Sequence, residues 1–419
     1  MNESLAVGIA LTMVAGLMSG TCMLPMKFVR SWKWENVWLV FSVVSLIVIP
    51  WALALGLVSN LFETYGALSL RQLGAPVLFG AGWGIAQVLF GISVARLGLG
   101  LAYAIIVGLG ALLGTLVPLF VQHQELAKGR PMMFVLSGVT VMVLGIILST
   151  WGGQVREAGT SATSTPQPSQ NYFTAVLLAL LCGIMAPMLN YSFAFGQDIA
   201  KEAVRLGTPE VRSGYAVWPI GLAGGFIPNI AYSVYLLFKN CTWGAFRLDG
   251  KDFGWSTLMG VLWMGAFSLY GMAAIYLGSF GTSIGWGLLQ IFMIMTATLS
   301  GVLAGEWKHA AGSAKQLLGA GLACLILATV LLALGTLTAR RVSRQREIFR
   351  TSLYQGIASA TPRSPRNNLA PSAEFAEQVL NRAGPSHPGK ALFGNRPVSS
   401  KRPSCATRMH NFRQAWQEA

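Results

Sequence analysis

Apolar and polar positions alternate along this chain in long blocks. Ten apolar runs, each close to the roughly 20 residues that a helix needs to cross a bilayer, occupy most of residues 1–338. The pattern predicts spans at Leu5–Met26, Val37–Leu57, Pro76–Val94, Leu99–Val121 and Pro131–Thr150. The second set is Tyr172–Phe195, Tyr215–Phe238, Ser256–Leu277, Thr282–Ala304 and Gln316–Leu337. The first run is read as a span rather than a cleavable leader, because it lacks a basic start and is long enough to cross. Between Gln197 and Gly214 the charged residues Asp198, Lys201, Glu202, Arg205, Glu210 and Arg212 predict a short amphipathic surface helix followed by a turn.

A Gly, Ser, Thr and Pro-rich segment divides the spans five and five. The expected organisation is a first five-helix unit at 1–152, a linker at 153–171, a second unit at 172–338 and a disordered basic tail at 339–419. The tail's Ser, Pro, Arg and Asn-rich sequence buries too little apolar surface to offset the entropy of ordering it.

Composition sharpens the picture. The chain is 53% hydrophobic and only 11% charged, and its mean hydropathy is +0.56. A soluble surface needs about 25% charged residues or more. The net charge of +15 does not mark a nucleic-acid-binding domain, because 14 Lys and Arg against 4 Glu lie in 339–419. The five cysteines and four histidines are dispersed, with neither metal-ligand spacing nor a nucleophile–base pair. No cofactor is expected, and nothing suggests an enzyme.

The two halves resemble each other. At one offset of 180 residues Gly80 faces Gly260, Trp83 faces Trp263, Gly91 faces Gly271, Gly98 faces Gly278 and Trp38 faces Trp218. Pro25-Met26 and Pro187-Met188 correspond at a slightly different offset. Five is odd, so each helix of the second half runs opposite to its counterpart. Inverted repeats of this kind place a solute near the midplane between the halves. The fold class expected is therefore all-α integral membrane: ten transmembrane helices in two inverted five-helix repeats with a disordered C-terminal tail.

A solute pocket needs directional polar groups set in apolar and aromatic walls. Helical spacing groups Trp83 with Gln87, Trp263 with Phe267 and Tyr270, and Ser283 with Trp286 and Gln290. Tyr103 opens the fourth span, and Asn190 and Tyr191 follow Pro187 in the sixth. The candidate substrate-binding set is Trp83, Gln87, Tyr103, Asn190, Tyr191, Trp263, Tyr270, Trp286 and Gln290. Each has a plainer role beside it, since aromatics near span ends anchor to the interface and buried amides join helices. No carboxylate falls in the middle of a predicted span; Glu306, at the end of the ninth, comes closest, and a surface pair with Lys308 is the plainer role for it.

Specific motifs go further. Lys27, Trp32-Lys33-Trp34-Glu35, Trp38, Pro50-Trp51-Ala52 and Phe79-Gly80-Ala81-Gly82-Trp83-Gly84-Ile85 stand in the first half. Arg96-Leu97-Gly98, Gly114-Thr115-Leu116 and Glu306-Trp307 continue the series. This set resembles the L-rhamnose–proton symporter family of the drug/metabolite transporter superfamily over residues 1–338. The resemblance implies secondary active uptake of a small neutral sugar, L-rhamnose or a related deoxyhexose, by proton symport with alternating access, and for that coupling Glu306 is the candidate proton-coupling residue. It also implies a multi-pass protein of the inner (cytoplasmic) membrane whose partners are sugar, proton and lipid bilayer, with no nucleic acid. Transport of another small metabolite of the same superfamily, or passive facilitation, remains open on the residues alone.

Overall fold

The structure, a computed structural model, describes residues 3–122, 129–160, 172–247, 250–278 and 281–360. Among the described residues, ten helices are long and apolar enough to cross a membrane. In the first half they are α1 Ser4–Phe28, α2 Trp34–Leu57, α3 Leu70–Val94, α4 Leu101–Gln122 and α5 Arg130–Arg156. In the second they are α6 Tyr172–Arg205, α7 Glu210–Lys239, α8 Gly250–Leu277, α9 Gly281–Leu303 and α10 Gly312–Val342. The described residues contain no strand. By contacts the chain forms two units, 1–345 and 346–419; the described part of the second, 346–360, is helical.

Two boundaries differ from the expectation. The helix that starts at Arg130 runs to Thr160, and the one that starts at Gly312 runs to Ala360. The first stretch of the predicted linker and of the predicted tail is thus helix; residues 161–171 and 361–419 lie outside the described residues. Once nucleated, a helix propagates one hydrogen bond per residue at little cost, even into polar sequence.

Proline shapes several spans from within. Pro50 lacks an N–H, and just before it α2 widens into a π turn at Val44–Val48, where Ile49 N–H donates to Val44 O. At Pro187 α6 breaks, giving Tyr172–Met185 and Met188–Phe195, followed by the amphipathic helix Gln197–Arg205. That helix buries Ile199, Ala200 and Ala203 and leaves its charges outward, as its spacing predicted.

Helix α1 packs against α8 and α9, and α6 packs against α3 and α4. The α3–α7 seam depends on glycine: a Cβ on Gly80 would strike the carbonyl oxygen of Gly221, and one on Gly224 would strike that of Val77. Small residues let backbones meet where lipid supplies no hydrophobic drive to associate.

Helix-end contacts define two faces. On the near face, Arg340 at the end of α10 donates to Ser4 Oγ (3.0 Å) and to Tyr276 O, joining the start of α1 and the end of α8. Nearby, Ser59 N–H donates to Thr208 Oγ1 (3.0 Å) and Asn60 Nδ2 to Leu206 O (3.2 Å). On the far face, Asp252 accepts from the backbone N–H groups of Arg30 (3.1 Å), Ser31 (2.7 Å) and Trp32 (3.0 Å). Glu35 accepts there from Asn240 Nδ2 (3.0 Å) and Thr242 Oγ1 (2.8 Å). The apolar runs place both carboxylates in loops; the structure buries them, because α2 and α8 start earlier than hydropathy indicates and hydrogen-bond donors converge on each.

Candidate solute site

A cavity of about 280 Å³ opens in the far-face half of the bundle. Four helices build it: Tyr103 comes from α4, Ser149, Thr150, Gly153, Gln154 and Arg156 from α5, Ile294, Ala297, Thr298 and Gly301 from α9, and Leu318 from α10. Glu306 and Trp307 close it from the α9–α10 connection. Hydroxyls, one amide and the rings of Tyr103 and Trp307 stand among aliphatic groups. The volume lies just below the roughly 300–1,000 Å³ range of ligand pockets for drug-sized molecules, a fit to one small guest.

At the rim, Glu306 is held by two cations. Lys27 Nζ lies 2.8 Å from Oε1 and Arg156 Nη1 3.1 Å from Oε2. The guanidinium of Arg156 also covers the Trp307 ring, 4.9 Å from its centroid. The Lys27 hydrogen bond, reinforced by Arg156, holds the Glu306 carboxyl below the usual carboxylate range. The expected partner Lys308 is replaced by these two residues, because the chain turns at Gly305 and aims the carboxylate back toward the ends of α1 and α5.

The structure separates the sequence-predicted residues into three groups. Tyr103 and Glu306 line the cavity. Trp83 and Trp263, buried, stack on one another with centroids 5.4 Å apart and planes 23° apart, and Tyr191 meets Phe79 edge-on at 5.8 Å. Gln87 and Gln290 are half-buried and make no hydrogen bond among the described residues; Gln290 sits one helical turn from Ile294 of the cavity wall.

The third group forms a knot. Asn190, Tyr270 and Trp286 are buried and committed to protein partners. Asn190 Nδ2 donates to Gly114 O (2.9 Å) and Thr282 O (2.8 Å), and its Oδ1 accepts from Tyr270 Oη (2.6 Å). Tyr270 Oη also lies 3.2 Å from Thr282 O. Trp286 Nε1 donates to Gly110 O (3.1 Å). The acceptor at Gly114 exists because residue 118 is proline: with no N–H there, the carbonyl four residues back has lost its intrahelical partner.

Ser149, Thr150, Gln154, Arg156, Thr298 and Trp307 were missed as cavity residues. Gln154 and Arg156 fell in the predicted linker, and only the continuation of α5 turns them onto the face that carries Ser149 and Thr150.

Comparison with known proteins decides the family. A profile of the L-rhamnose-proton symport protein matches residues 1–338. The chain belongs to that family. It is 26% identical over 344 residues to the L-rhamnose-proton symporter of Yersinia pestis (strain Pestoides F), covering 80% of this chain and 99% of the relative. It is 24% identical over 345 residues to the L-rhamnose-proton symporter of Mannheimia succiniciproducens, with the same coverage of both chains. Membership makes the chain a transporter rather than an enzyme, and all of the cavity lies within the matched residues.

Proposed function

We propose that this chain is a proton-coupled symporter of L-rhamnose or a closely related deoxyhexose in the cytoplasmic membrane, and that the far-face cavity admits the sugar. One observation carries the reading: a pocket of monosaccharide size, mixing hydroxyls with aromatic rings, sits inside the region that matches the symporter family. Sugar hydroxyls would pair with Thr150, Thr298 and Gln154, and the sugar's C–H face would rest on Tyr103 or Trp307. Gln290, unpaired one turn deeper, is the next polar group a descending solute meets.

The inverted repeat is part of the proposal, and the packing supports it. Exchanging the halves turns α1–α8 contact into α6–α3, α1–α9 into α6–α4, and α3–α7 into α8–α2, and all six occur. The same exchange turns the far-face loop pairing at Glu35 and Thr242 into the near-face pairing at Thr208 and Ser59. Trp83 and Trp263, counterparts at the shared offset, lie against each other as residues on either side of a two-fold axis would. Two broken spans, α1 at Pro25 and α6 at Pro187, correspond as well.

For coupling, Glu306 is the proposed proton site. In this conformation Lys27 and Arg156 keep it ionised, so it would take up a proton when the ends of α1 and α5 draw away. In proteoliposomes, L-rhamnose should accumulate down an imposed pH gradient, and Glu306→Gln should abolish sugar-driven proton flux. Undiminished flux in that variant removes Glu306 from the role; rhamnose uptake indifferent to the gradient would assign uncoupled facilitation instead.

A further inference from the structure

The solute path has to be closed somewhere beneath the cavity. Along α9, Thr282 and Ile294 stand twelve residues apart, about 18 Å at the helical rise. The cavity occupies the Ile294 end, and the Thr282 end is dry: Tyr270, Asn190 and Ser283 are all wholly buried. Helices α4, α6, α8 and α9 converge there through the Asn190 hydrogen bonds. Glycine brings them close, since a Cβ on Gly114 would strike the Trp286 indole and one on Gly281 would strike the Ala274 carbonyl.

From this we infer that Asn190 and Tyr270 are not sugar ligands but the latch that closes the solute path on the near face, tying the broken helix α6 to α4, α8 and α9. Both donors of Asn190 and one acceptor position of its oxygen are taken by protein, and the side chain is wholly buried, so it presents no accessible group to a sugar in this state. The acceptors are backbone carbonyls, and the one at Gly114 is free only because of Pro118. When α6 swings from α4, that carbonyl loses its partner, and burial unpaired would be costly. The open state is therefore stable only if water enters the gap, so parting of the latch and wetting of the near-face path are one event. The inference deepens the alternating-access reading without requiring that rhamnose be the solute.

The test uses a thiol reporter in the full chain. Cys22, Cys182, Cys241, Cys324 and Cys405 are replaced, and Ser283→Cys is introduced beside the latch; the Ser283 hydroxyl has no partner, so its exchange removes no hydrogen bond. Labelling by a membrane-impermeant maleimide is compared in vesicles of opposite orientation. Two control variants identify the sides: one carries Lys201→Cys on the near-face helix as its sole cysteine, and the other keeps only the exposed Cys241 on the far-face loop. Tyr270→Phe, which keeps the ring and deletes only the hydroxyl, and Asn190→Ala should each raise Ser283→Cys labelling about tenfold from the near face alone, because a lost buried hydrogen bond of ordinary strength shifts a two-state balance by that order. Labelling that stays within twofold in both variants overturns the latch. Equal labelling from both faces also overturns it, since that marks a loosened bundle rather than an opened gate. Tyr270→Phe, which preserves the packing, decides the matter if Asn190→Ala does not fold.

Discussion

The two ends of this bundle solve opposite problems with the same helices. In the far-face half, α4, α5, α9 and α10 splay around a void edged by Lys27, Arg156 and Glu306. In the near-face half, α4 and α9 are drawn together with α6 and α8 by glycine contacts, by an amide bonded to two backbone carbonyls and by a phenol bonded to that amide. Both regions are rich in polar groups, yet only one is open. The difference lies in where the partners are. At the knot the Asn190 amide spends both its donors on backbone carbonyls, while Gln154 and Thr298 on the cavity wall make no hydrogen bond among the described residues.

The largest effect expected from this contrast is steric. Gly80→Val puts a branched side chain against the backbone carbonyl of Gly221, which has no room to withdraw, and should cost several kcal/mol or prevent folding. Gly153→Ala on the cavity wall meets open space within a helix and should leave stability unchanged or raise it by up to about 1 kcal/mol. Comparable losses in melting experiments on the two purified variants would erase the distinction between tight and open halves.

Next comes the knot. Asn190→Ala leaves a proline-freed carbonyl buried without a donor and should destabilise by about 1–3 kcal/mol. In a Pro118→Ala background the helix supplies its own N–H to Gly114 O, so the same substitution should cost measurably less. A double-mutant cycle on unfolding in detergent reads this coupling, and strict additivity would refute the account of why the asparagine is there.

At the cavity, Trp307→Ala should weaken apparent sugar affinity about tenfold with little change in maximal rate, read from initial uptake rates over a range of rhamnose concentration. An unchanged KM would move the sugar elsewhere.

The smallest effect concerns charge. The Glu306 carboxyl is held low by Lys27 and Arg156, so the clasp contributes stability above the carboxylate's ordinary value of about 4.3 and loses it as pH falls through the lower folded value. Glu306 is 39% exposed at the side chain, so the gain is under about 1 kcal/mol. Lys27→Gln raises the folded value toward the ordinary one, so the loss of stability on acidification should become smaller and be complete at a higher pH. A melting profile from pH 3 to 7 that did not move would detach Lys27 from the carboxylate.

Much of this was legible along the chain. Ten spans, the amphipathic segment at 197–205 and family membership all follow from local pattern, because a bilayer demands apolar length and internal hydrogen bonding and both are written residue by residue. Helical spacing also brought out Trp83, Trp263, Tyr270 and Trp286 as candidate solute contacts; in the structure Trp83 stacks on Trp263, and Tyr270 and Trp286 hydrogen-bond to protein partners.

What spacing left open was which of those residues face a guest and which face each other. Only the fold pairs Asn190 with a carbonyl that a proline 72 residues earlier had freed. Only the fold brings Lys27 and Arg156, from helices far apart in sequence, onto one carboxylate. Periodicity reports the side of a helix on which a residue lies, whereas its partner depends on how helices distant in the chain cross, and no single segment carries that information.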